Sequence, residues 1–231
     1  MRLLVLQQVP CEGPGVFADF MHQAGIAFDT VVLSAGQRVP SLSRYRALVV
    51  LGGPMNVYQE QEYPFLAEEG QAIARALAVG MPYLGVCLGG QLLAKALSAQ
   101  VTANPVAEVG FYDIELTEAG RRDPLFRGLG PKVPVFQWHQ DTFAIPRGAV
   151  RLAGSSLCPN QAFRYASNAY ALQFHLETTA DMIKSWTEEY KADLDGGQDH
   201  RLLAADVAAS AGRLLEPART LFASFLSIAL G

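Results

Sequence analysis

The chain has 231 residues, half of them hydrophobic, so it can bury a substantial core without metal or disulfide staples. Its 18 Lys+Arg against 22 Asp+Glu give a net charge of −4 with no basic run, which excludes nucleic acid as the main partner. The longest late apolar segment, LFASFLSIAL, is about half of a membrane span, and the apolar part of MRLLVLQQVP is too short for a signal peptide.

RLLVLQ reads as a first strand, GVFADFMHQAG as a helix ending at Gly25, and FDTVVL as the second strand. ALVVLGG is a continuous apolar run that stops at glycines, as expected of a strand buried on both faces. PFLAEEGQAIARALAVG has apolar residues at helical spacing and closes at Gly80; PYLGV is then a strand and LGGQLLAKALSA a helix. This alternation predicts a mainly parallel sheet with helices on both faces.

Between about residues 105 and 170 helical periodicity fades. FYDIEL, VPVFQWH, VRLAGSS, QAFRYA and AYALQFH read as short strands between Pro/Gly turns, a mixed or antiparallel extension of the same sheet. After HLETT the chain turns helical, with ADMIKSWTEEYKADL, a flexible connection at LDGGQDH (194 to 200), and an Ala/Leu-rich end. The expectation is an α/β fold: a three-layer open sheet in one domain, 1–231, with 180–231 as a C-terminal helical extension.

Three cysteines, Cys11, Cys87 and Cys158, lack C-x-x-C spacing, which argues against a disulfide framework or zinc site and for a reducing cytoplasm. Cys87 stands apart. In G-x-C-x-G, residues 85 to 89, it sits where a strand must turn sharply into a helix. Such turns at the carboxyl ends of strands are where open α/β sheets bind ligands. The arrangement is that of a nucleophile elbow, whose following N–H can face an oxyanion, and the helix N-terminus favours a thiolate. A buried structural cysteine in a Gly-rich turn fits the pentapeptide equally well.

A cysteine nucleophile needs a base, and the base an orienting group. Of the four histidines, His22 lies in an amphipathic helix and His200 in a polar connector, where surface roles fit. His175, in YALQFHLE, is two residues from Glu177, so a persisting strand would put both on one face. The carboxylate could then fix the ring's tautomer and stabilise its charged form.

GVCLGGQLLA together with LQFHLE, VVLGGPMNVYQ, EVGFYDI and FQWHQDTFAIP resembles the class I glutamine amidotransferases, closest to stand-alone, GMP-synthase-like members. The resemblance spans about residues 1 to 180 and implies a flavodoxin-like architecture and a Cys-His-Glu site. By resemblance, Cys87 attacks the glutamine carboxamide, His175 shuttles protons, and Glu177 orients it. Backbone N–H groups of Gly52, Gly53 and Leu88 would meet the oxyanion, Gln91 would hold the substrate, and Trp138 to Asp141, with His139 and Gln140, would line the pocket. No metal or other cofactor is implied.

Leu176 stands where the family commonly has proline, which puts the His-Glu geometry in question. No Gly-rich phosphate loop or S-G-G-x-D-S motif follows residue 180, so the expectation is that this chain does not aminate a nucleotide by itself. Three functions stay open. One is a glutaminase supplying ammonia to a partner protein, another a hydrolase of small γ-glutamyl compounds, and the third a non-catalytic binding module. The oligomeric state is not readable from the sequence.

Overall fold

The apolar runs of the first hundred residues fold as the pattern predicts. The structure is a computed structural model that describes residues 2–191, 206–207 and 209–231. In order come β1 (Arg2–Gln7), α1 (Gly15–Gln23), β2 (Ala27–Val32), β3 (Ala47–Val50), α2 (Phe65–Ala78), β4 (Tyr83–Val86) and α3 (Leu88–Ala96). Every residue of β3 and β4 is buried, which is why they read as unbroken apolar runs rather than alternating ones. Gly25 (φ 64°) and Gly80 (φ 66°) adopt the left-handed conformation that ends α1 and α2.

The second half supplies β5 (Val101–Leu116), α4 (Glu118–Arg122), β6 (Lys132–Phe143), β7 (Val150–Gly154), β8 (Ala162–Tyr165), β9 (Ala169–Leu172), α5 (Ala180–Glu189) and α6 (Leu215–Leu230). Among the described residues, nine strands join one sheet in the order β2-β1-β3-β4-β9-β8-β7-β5-β6. The first five are mutually parallel, and the remaining pairings are antiparallel. The expected three-layer sheet with an antiparallel extension is therefore present.

Helices cover both faces. On one, Phe17 of α1 stacks on Phe222 of α6 with ring centroids 4.2 Å apart, and Phe225 and Leu221 join the same core. On the other, Leu66 and Ile73 of α2 and Leu92 of α3 pack with Leu4, Leu48 and Val50. Among the described residues no helix is long and apolar enough to cross a membrane.

The β5–β6 ribbon matters most for the site. It joins β7 only through Glu115 and Leu116, and its register shifts between Ala103 and Glu108. The ribbon thus bends back over the sheet, and Phe136 in mid-β6 exchanges backbone hydrogen bonds of 2.8 and 3.1 Å with His175. The segment from Trp138 to Asp141 is thereby carried to the carboxyl ends of the parallel strands.

Three expectations need correction. β5 begins at Val101, ahead of FYDIEL, because Val101, Thr102 and Ala103 pair with the end of β6 beyond a register shift that takes up Asn104 and Pro105. The short helix α4, capped by the Thr117 hydroxyl, stands where no helix was expected. The strand expected through AYALQFH ends at Leu172. The connection at 194–200, with His200, lies outside the described residues.

Candidate active site

Cys87 caps the N-terminus of α3 with φ 51° and ψ −110°, a positive φ held by a residue with a side chain. The neighbouring glycines explain why the strain falls on the cysteine. A Cβ on Gly89 would lie 2.2 Å from the Val50 carbonyl oxygen, so only glycine lets α3 press onto β3. Strain of this kind costs about 1–3 kcal/mol and concentrates at functional sites. The sulfur is not sealed off. Cys87 is 7% exposed and lines a cleft of about 230 Å³ at the carboxyl ends of the central strands.

His175 reaches this cleft by a different route from the one its sequence context suggests. Its position is set by the bridge to Phe136, not by a continuing strand, so the same-face argument does not apply. The pair forms nonetheless. Nδ1 lies 2.6 Å from Glu177 Oε1, and the Leu176 N–H donates to Glu177 Oε2 at 3.0 Å. Proline has no N–H to give. The departure from the family pattern therefore adds a hydrogen bond that holds the carboxylate. An ionised carboxylate only accepts, so Nδ1 carries a proton and Nε2 is left to face Cys87. Burial opposes charge on the ring. The Glu177 carboxylate and hydrogen bonds with Cys87 and Glu177 outweigh it and hold the His175 pKa well above its usual value of 6.5.

Gly52 and Gly53 follow β3 directly beside these groups. A Cβ on Gly52 would stand 3.0 Å from His175 Cε1 and 3.5 Å from Cys87 Cβ, and one on Gly53 would stand 2.7 Å from the Gln8 side chain. No hydrogen bond among the described residues occupies the N–H of Gly53 or Leu88. Both residues line the cleft.

Gln91, Gln140 and Asp141 also line it. Gln91 Nε2 donates to the Asp141 carbonyl at 3.1 Å and to Gln173 Oε1 at 3.3 Å, while Gln173 Nε2 lies 3.7 Å from Cys87 Sγ. The side chain of His139 is turned inward. It meets the Asp141 carbonyl through Nδ1 and Glu108 Oε2 through Nε2, each at 2.9 Å, and so fixes the backbone that borders the cleft. Glu108, His139 and Cys158 form the one group among the described residues that could hold a metal, their donor atoms all within 4.8 Å of one another. Those atoms are engaged by neighbours: Gln161 and Ser155 donate to Glu108 at 2.7 and 3.0 Å, and Thr142 lies 3.1 Å from the Cys158 sulfur.

Glu12, Gln173, Trp186 and Tyr190 complete the surroundings, and sequence reasoning missed all four. Trp186 and Tyr190 are four residues apart on a helix flank, a spacing that signals a shared face but not what it covers. Within the described part of the 180–231 extension, α5 and the residue that follows it bring Trp186 and Tyr190 to the cleft, and α6 packs into the core.

Comparison with known proteins identifies the family. The sequence model of the family "Glutamine amidotransferase class-I" matches residues 23–185. The glutamine amidotransferase-like protein YfeJ of Salmonella typhimurium is 30% identical over 207 residues, covering 88% of this chain and 87% of its own. A subunit of the glutamine-hydrolyzing GMP synthase of Sulfurisphaera tokodaii is 31% identical over 154 residues, 66% of this chain and 78% of its own. Among solved structures, a glutamine amidotransferase of Thermotoga maritima superposes with TM-score 0.88 at 35% identity, covering 100% of this chain and 99% of that one. The chain belongs to the class-I glutamine amidotransferase family.

Proposed function

We propose that the protein hydrolyses the side-chain amide of glutamine through a γ-glutamyl thioester on Cys87. The observation that carries this reading is the convergence of a strained cysteine, an imidazole and a carboxylate at one mouth of the sheet. The Cys87 thiolate attacks the amide carbon, and the oxyanion is met by the N–H groups of Gly53 and Leu88. Donors aimed in this way are worth about 3–4 kcal/mol in the transition state. His175, oriented by Glu177, gives its Nε2 proton to the departing nitrogen and later takes one from the water that resolves the thioester. Gln91, Gln140 and Asp141 border the space left for the amino-acid end of the substrate.

The ammonia is passed to a separate acceptor protein. The relative named as a subunit of a GMP synthase supports this. Three free cysteines suit a reducing cytoplasm. The test is hydrolysis by the purified protein of glutamine and of γ-glutamyl dipeptides. Ammonia release from glutamine supports the reading; strong dipeptide cleavage with negligible glutaminase activity rejects it in favour of a γ-glutamyl hydrolase.

A further inference from the structure

The glutaminase chemistry leaves Glu12 without a task, yet most contacts of the β1–α1 loop serve to place it. Gln7 Nε2 donates to the carbonyls of Val9 (2.9 Å) and Pro10 (3.0 Å), and Trp186 Nε1 donates to that of Cys11 (2.9 Å). The Val16 N–H donates to the Glu177 carbonyl at 2.9 Å. Gly15, at φ 47°, lies so close to the same carbonyl that a Cβ would stand 1.9 Å from it. The loop is pressed onto the segment that carries His175 and Glu177.

The Glu12 carboxyl, 6% exposed, is held at one end. Tyr190 donates its hydroxyl to Oε1 at 2.7 Å. Oε2 lies 3.0 Å from the point where a Gly52 Cβ would stand, and His175 Cε1 is 3.0 Å from that same point. No donor among the described residues hydrogen-bonds Oε2. A lone acceptor thus faces the reacting centre on the side of His175, where the leaving group must depart.

Resting on the glutaminase reading, we propose that Glu12 Oε2 accepts the N–H groups of the scissile nitrogen, so that the site selects γ-glutamyl amides over γ-glutamyl esters. An amide nitrogen offers hydrogens at that point, whereas an ester oxygen offers only lone pairs. As the Cys87 sulfur–carbon bond forms and the tetrahedral adduct collapses, the carbon–nitrogen bond breaks and its electron pair stays on nitrogen. Nitrogen takes the proton of His175 Nε2 and leaves as ammonia with its hydrogens still held by Glu12.

The groups facing this carboxyl are Tyr190 and Cys11 beside it, with Cys87, His175 and Glu177 across the cleft. Burial pushes Glu12 up to about 7, against the Tyr190 hydrogen bond and His175, with Glu177 adding to the rise. The acceptor is therefore fully ionised only above neutral pH, and turnover of glutamine gains a limb there.

The experiment measures kcat/KM across neutral pH for glutamine and for glutamate γ-methyl ester, with wild type, Glu12→Gln and Tyr190→Phe. Labelling of Cys87 by a glutamine-like diazoketone checks that each variant keeps its site. Glu12→Gln is expected to lose about tenfold or more on glutamine, equal to roughly 1.4 kcal/mol for one charge-assisted hydrogen bond, and about twofold at most on the ester. The glutamine profile loses its limb near 7, and Tyr190→Phe shifts the same ratio by less. Equal loss on both substrates, no loss on glutamine, or a limb that survives in Glu12→Gln overturns the proposal. Wild-type protein that hydrolyses neither substrate overturns the glutaminase reading, and this proposal with it, before any variant is compared.

Discussion

His175 Nδ1 lies 2.6 Å from Glu177 Oε1, and the N–H of the intervening Leu176 grips the other carboxylate oxygen at 3.0 Å. The carboxylate is thus held at both ends within a bend, and its negative charge stabilises the imidazolium that faces Cys87. Replacing Glu177 with Gln keeps the shape and removes the charge. Turnover is expected to fall on the order of 100-fold, and the alkaline limb of kcat/KM should move to lower pH. The sign follows from the shift. A His175 pKa raised above 6.5 gives stability that is present below that pH and lost as pH rises through the folded value. Glu177→Gln lacks that decline, which pH-dependent denaturant unfolding would reveal.

Cys87 carries backbone strain that glycine would not feel. Cys87→Ala and Cys87→Gly should both lose turnover, but the glycine variant should be the more stable by about 1 kcal/mol because it relieves the positive φ. Equal unfolding midpoints would show that the elbow is not strained. His175→Ala should lose turnover as completely as Cys87→Ala, and the double variant should lose no more, since the two act as one unit.

The paired glycines after β3 should separate catalysis from stability. A methyl group on Gly52 points at His175 Cε1 and Glu12 Oε2, each 3.0 Å away, so Gly52→Ala should cut kcat sharply while the unfolding midpoint barely moves. On Gly53 the methyl group meets Gln8 Cβ and Cγ at 2.7 Å, atoms close to the backbone that cannot swing aside. Gly53→Ala should therefore cost about 1–3 kcal/mol of stability by overpacking. Chemical unfolding alongside steady-state assays checks both.

Glu69 supports Gln8 from α2, accepting its amide N–H at 2.8 Å, while its second oxygen is buried without a partner among the described residues. Burial pushes this carboxyl up to about 8, against the Gln8 hydrogen bond. The folded state then binds a proton that the unfolded state has released above its usual value of 4.5. Stability should fall as pH climbs from 4.5 to about 8. In Glu69→Gln that slope should lessen by up to about 1.4 kcal/mol per pH unit. An unchanged slope would place the ionised carboxylate in a wetter site than its burial implies.

The most legible elements are those whose burial is two-sided. ALVV and YLGV read as central strands because both faces of the sheet are covered, and the glycines beside Cys87 are legible because α3 packs on β3 at backbone distance. His175 and Glu177 are legible as a pair, but the reason lies elsewhere: long-range pairing with Phe136, and not a local strand, sets the ring. No local pattern encodes that bridge across the chain. Glu12 escapes for a similar reason, since a lone acid in a Pro/Gly loop becomes part of the cleft only once α5 brings Tyr190 against it. His139 is legible as a residue bordering the cleft, but its inward turn toward Glu108 depends on the register of β5 with β6.

The central claim is that the sulfur at the elbow is the atom glutamine reaches. Mass spectrometry after brief exposure to a glutamine-like diazoketone tests it, because Cys11 and Cys158 serve as internal controls in the same molecule. Burial pushes the Cys158 thiol up, and Cys11 lies 3.4 Å from the Tyr190 hydroxyl. The expected result is a single adduct on Cys87, suppressed by added glutamine and absent in His175→Ala. Equal modification of the three thiols, or labelling of Cys87 that glutamine does not slow, would contradict it.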